Sequence, residues 1–159
     1  MPDRTLLALF DEIRGMTLRV VDGVDESAAR WRVPGLANHI LWHAGHIYVV
    51  VEWLSQGSLG LDPLAPAGWF ELFSWESRPA EVPPEKFPPL GAVVEQLRSQ
   101  QKRLTELYSR LSELDLKNSA VDQPDMSVRQ VIVHALQDEA SHKGEIWLLR
   151  QMYQRQLLA

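Results

Sequence analysis

Apolar residues return every three or four positions in four separate stretches of this chain. From about Thr5 to Val21, Leu6, Phe10, Ile13, Met16 and Val20 share one helical face, with Asp11, Arg14 and Arg19 between them. Asp22-Gly23 and Pro34-Gly35 break the pattern. A second helix is expected over 37–55, carrying Ile40, His43, Ile47, Val50 and Leu54 without any proline, and it should be largely buried. Between Gly57 and Gly91 the periodicity disappears. Seven of the ten prolines and four of the nine glycines fall there, interleaved with Trp69, Phe70, Phe73 and Trp75, which predicts a long loop with one short helix. Apolar spacing resumes over 92–114 at Val93, Leu97, Leu104, Leu107 and Leu111, with polar residues outside. The last helix, expected over 127–154, begins on Ser127 with Gln130 three residues later, a spacing that lets each side chain bond the other's backbone amide. No stretch alternates with period two. The pattern predicts an all-α protein, one four-helix bundle over 1–159 with a long Pro/Gly- and Trp-rich crossover between its second and third helices. In such bundles, sites are built from side chains on facing helices.

Composition narrows the chemistry. A chain of 159 residues, 45% hydrophobic and 23% charged, suits one globular domain with a sizeable core. Cysteine is absent, which removes disulfides, zinc–thiolate centres, iron–sulfur clusters and a catalytic thiol, so a metal would rest on histidine, carboxylate or water. A net charge of -5 without a dense run of lysine or arginine argues against a nucleic-acid surface. The longest apolar stretch, around Ile47 to Val51, is far too short to span a membrane, and Met-Pro-Asp-Arg does not open a secretion signal. The expectation is a cytoplasmic protein with a small-molecule or protein ligand and no nucleic-acid or membrane partner.

All five histidines fall on two of the expected helices, His39, His43 and His46 on the second and His134 and His142 on the fourth. Steps of four drift by only about 40° around a helix, so His134, Asp138 and His142 form one stripe, which Glu145 joins. Val131, Ala135, Ile146 and Leu149 turn that stripe towards the core, and a buried carboxylate there needs a partner. Three readings compete. Asp138 and His142 with a histidine of the facing helix would make a three-ligand metal site with an open position, of a composition suited to zinc, nickel or iron(II). Asp138 paired with a protonated histidine would be an ion pair without metal. Half-buried histidines reaching water would need neither. Glu139-Ala-Ser-His142 also matches one Glu-x-x-His element of di-iron bundles, but no second copy exists, so Glu139 is expected in solvent. Trp42, Trp53 and Trp147 are expected to pack in the core or at its rim.

Taken together, Leu36-Ala-Asn-His-Ile-Leu-Trp-His-Ala-Gly-His46 and His134-Ala-Leu-Gln-Asp-Glu-Ala-Ser-His-Lys-Gly-Glu-Ile146 resemble the DinB/YfiT-like superfamily of metal-binding four-helix proteins. Its second helix supplies one histidine ligand and its last helix two, in a pattern near His-x-x-x-His-Arg-Gly-Gln. The resemblance implies His43, Asp138 and His142 as ligands of a divalent metal, with His46 the rival of His43. Asp138 departs from the family's histidine, and Lys143-Gly144-Glu145 departs from its Arg-Gly-Gln. Members include thiol S-transferases that use low-molecular-weight thiols such as bacillithiol, and a mycothiol-dependent isomerase. By resemblance, the chain would be a homodimeric transferase or hydrolase whose metal activates a thiol or water against a small electrophile. Glu145 or His46 would then accept the proton, and the loop bearing Trp69, Phe70, Phe73 and Trp75 would close the pocket. His39 is expected at the polar rim, His134 would replace Asp138 if the helices slid by one turn, and Gly144 should mark a close approach. A second class of function stays open, a non-catalytic binding or interaction domain whose polar cluster only sets helix register.

Overall fold

The computed structural model describes residues 1–158, all of whose regular elements are helical. Four long helices form the body: α1 (Arg4–Val21), α3 (Ile40–Ser58), α5 (Leu90–Arg110) and α7 (Val128–Gln156). Three single-turn helices lie in the connections: α2 (Glu26–Arg30), α4 (Trp69–Phe73) and α6 (Glu113–Lys117). Each long helix packs on two others, α1 and α3 on both α5 and α7, which leaves α1 diagonal to α3. The interface of α3 with α7 is the most extensive, and α3 is buried nearly all round, enclosed by its neighbours.

Helix ends follow local chemistry. The Asp3 carboxylate accepts the amides of Thr5 and Leu6 at 3.0 Å and starts α1. Ser127 and Gln130 make the expected reciprocal box on α7. The expected third helix, 92–114, is shorter and shifted. It starts after Pro89, ends at Arg110, and is followed by α6, which opens on a second reciprocal box of Ser112 and Asp115. Leu111 therefore caps α5 rather than continuing its stripe. The second expected helix starts later than 37, because the His39 ring accepts the Trp42 amide at 2.9 Å and caps α3.

A polar chain crosses the core and joins all four long helices. Arg14 on α1 donates to both oxygens of Glu139 on α7 at 2.8 and 3.0 Å, and Thr17 adds a 2.7 Å bond to the same carboxylate. Arg14 also donates to the Gln100 side chain on α5, which donates to Glu52 on α3 at 2.8 Å, while Arg103 grips Glu52 from the other side. Glu139 is thus fully buried, which corrects its expected place in solvent, and Arg14 is buried rather than on the polar face. A buried carboxylate held by a guanidinium and a hydroxyl has its charge matched and its lone pairs used.

Candidate metal centre

Two turns of α3 face two turns of α7 at the site. His43 and His46 are three apart on α3, and Asp138, His142 and Glu145 follow at four and three on α7, so each set shares one helical side. Both α3 histidines are buried. Their donor atoms meet those of α7 in two triplets that share His142: His46, Asp138 and His142 form an inner one, and His43, His142 and Glu145 an outer one.

The inner triplet is defined by what its atoms lack. His46 Nδ1 lies 2.6 Å from the Phe73 carbonyl oxygen, which only accepts, so the ring proton sits on Nδ1 and Nε2 carries a lone pair. That Nε2 is 3.8 Å from Asp138 Oδ2, and His142 Nε2 is 3.6 Å from Asp138 Oδ1. Asp138 Oδ2 is buried without any hydrogen-bond partner. Two acceptors, an imidazole lone pair and a carboxylate oxygen, therefore face each other across a gap that a cation fits and a direct hydrogen bond does not. Burial holds His46 below the ordinary histidine pKa, against the opposing pull of the Phe73 carbonyl, and so keeps the ring neutral. The Trp42 ring stacks on His46 with centroids 4.5 Å apart, and its Nε1 donates to Ser77 Oγ at 2.8 Å, which fixes the imidazole plane.

The outer triplet is tighter. His43 Nδ1 and His142 Nδ1 are hydrogen-bonded at 2.9 Å, so one ring donates and the other accepts. When His142 is the donor, its Nε2 lone pair is directed at Asp138. Glu145 Oε2 lies 2.6 Å from His142 Nδ1 and 3.1 Å from His43 Nδ1, on a side chain about half exposed. Burial, then the neighbouring His142, His46 and His39, push the His43 pKa down to about 3, so this ring too is neutral at physiological pH.

The sequence model of the DinB superfamily matches residues 9–146, a span that contains every residue of both triplets. The chain belongs to the DinB superfamily. No curated protein matches it. In this DinB-superfamily chain the three ligands implied by the resemblance are divided: Asp138 and His142 share the inner triplet with His46, while His43 lies in the outer one with Glu145. This division of His43 and His46 has a geometric cause. Residues three apart point to nearly the same side of α3, and only their depth along α7 separates them.

Two clefts open on either side of the shared His142. One, about 250 Å³, is lined by His46 and Asp138 together with Val50, Leu54, Trp75 and His134. The other, about 190 Å³, is bordered by His43 and Glu145. Of the four crossover aromatics expected over the pocket, only Trp75 forms a wall. Trp69 and Phe73 are core residues, and Phe70 packs on Trp53 with centroids 4.4 Å apart. His39 is buried as the α3 cap, edge-on to Phe87, instead of lying at the rim. His134 is exposed at the mouth of the inner cleft, one turn from Asp138.

Two contributors carried no signal in the sequence. The Phe73 carbonyl is a backbone atom brought to His46 by α4, and no side-chain pattern announces it. Gly45 is the second. A Cβ there would overlap the Phe73 ring, so this glycine gives Phe73 its seat against α3. Gly144, expected to mark the close approach, has open space around it.

Proposed function

We propose that this DinB-superfamily chain is a divalent-cation-dependent enzyme acting on a small molecule that enters through the cleft bordered by His46, Asp138, His134 and Trp75. The observation that carries this reading is the buried, unpartnered Asp138 Oδ2 facing the Nε2 lone pair of His46. His46 Nε2, the Asp138 carboxylate and His142 Nε2 would hold the ion, and two imidazoles with one carboxylate suit zinc, nickel or iron(II). A cation held by three protein ligands lowers the pKa of a water or a low-molecular-weight thiol and so supplies a nucleophile for hydrolysis or transfer.

The chain's own groups have separable tasks. The Phe73 carbonyl and the Trp42 ring fix the tautomer and plane of His46, the kind of outer support that orients a ligating imidazole. His43 and Glu145 hold the far side of the His142 ring. Val50, Leu54 and Trp75 supply apolar wall to a bound substrate. His134, at the mouth of that cleft, is placed to exchange a proton with solvent.

Metal analysis of the chain, purified without an affinity tag and supplied with zinc, nickel or iron(II), tests the assignment. About one equivalent should bind, Asp138→Asn and His46→Ala should lose it, and His43→Ala should keep it with weakened affinity. Loss in His43→Ala and Glu145→Ala with retention in His46→Ala would move the site to the outer triplet. No binding of any of the three ions would leave a helical binding domain whose polar cluster sets register.

A further inference from the structure

The cleft on the far side of His142 has walls and a floor of different character. Leu36, from the loop before α3, and Leu148, Leu149 and Met152, from α7, make an aliphatic wall around it. Leu36 and Leu148 are more than half exposed, at 55% and 52%, so large aliphatic surface is left in water around one concavity. The polar lining is Glu145 with His43 and Asn38, and Glu145 is its one charged residue. Glu145 meets the two imidazoles through Oε2 alone, and among the described residues no lysine or arginine pairs with it. A carboxylate oxygen, Oε1, is thus left for a ligand at the end of a largely apolar slot that no lysine or arginine lines.

We propose that this cleft binds a small aliphatic primary amine in its ammonium form, the alkyl group against Leu36, Leu148, Leu149 and Met152 and the ammonium donating to Glu145. Charge complementarity selects the head group, since an ammonium neutralises Glu145 and a carboxylate or phosphate repels it. The volume, about 190 Å³, admits a short alkyl or cycloalkyl group. The cleft wall contains no tryptophan, tyrosine or phenylalanine, so a quaternary ammonium, which is held by the faces of such rings, has little to replace the hydrogen bond it cannot make. The inference can fail separately from the metal reading, because neither His46 nor Asp138 borders this cleft, although its His43 and Glu145 also hold the far side of the His142 ring.

Amide chemical shifts of protein stripped of metal with a chelator, titrated with cyclohexylamine at neutral pH, test it. Saturable shifts should centre on residues 36–38 and 145–152, while cyclohexanecarboxylate and tetramethylammonium should produce none there. Glu145→Gln should weaken the amine at least tenfold and Leu148→Ser severalfold, with amide shifts remote from the cleft, from His43 and from His142 unchanged. Asp138→Asn should leave the amine's affinity as it was. Equal binding of amine and carboxylate, shifts centred on His46, Asp138 and His134, or no saturable shift would overturn the proposal. So would sedimentation showing that a second copy of the chain covers this face and excludes the amine.

Discussion

Gly45 joins two facts that lie far apart in sequence, the seat of the Phe73 ring and the protonation pattern of His46. Gly45→Ala should push the ring, and with it the Phe73 carbonyl, away from His46. Loss of such outer support lowers metal affinity by about 10–100-fold, and competition against a chromophoric chelator measures it. His39 makes a second prediction at this scale. Burial first, then Arg32 and Arg30, bring its pKa down to about 4, and its cap requires the neutral ring as acceptor. Between pH 6.5 and 4 the unfolded chain takes up a proton that folded His39 refuses, so this group costs stability as pH falls through that window. In His39→Asn, which keeps a capping acceptor without a titrating ring, urea midpoints should fall less steeply between those pH values. The histidines were legible as a converging set because of their helical spacing. Which ring joins Asp138 was not, because positions 43 and 46 point the same way and differ only in their depth along α7.

At the scale of elements, the two reciprocal caps behave differently as signals. Ser127 with Gln130 was readable because it opens a long apolar stripe, whereas Ser112 with Asp115 sits where Leu107 and Leu111 suggested one continuous helix. Helical spacing registers a face and is blind to a two-residue break. Ser127→Ala should destabilise the protein by about 1 kcal/mol in chemical denaturation, the usual worth of such a cap. The crossover was legible as irregular from its prolines, but the burial of Trp69 and Phe73 depended on the groove that α3 and Gly45 offer.

Across the whole molecule, the bundle was readable from four amphipathic stripes, while the polar chain through its centre was not. A charged residue on an inner stripe looks like one on an outer stripe until its partner is known, and Arg14 and Glu139 are 125 residues apart. Removing one member leaves the other buried and unmatched, so Arg14→Leu or Glu139→Leu should each lower unfolding stability by about 3–5 kcal/mol. The double variant Arg14→Leu/Glu139→Leu should lose much less than the sum of the two, which a double-mutant cycle by denaturant titration reads directly.

Asp138 and Glu139 are neighbours on α7 with opposite fates, one left open and the other locked by an arginine. The lock is made by protein side chains, unlike the cores of small zinc domains, which unfold when stripped. Under the proposed function the centre should be exchangeable: chelated protein should keep its helical content and lose only the modest increment of melting temperature that ligand occupancy confers. Ions could then be swapped in turn on one intact scaffold.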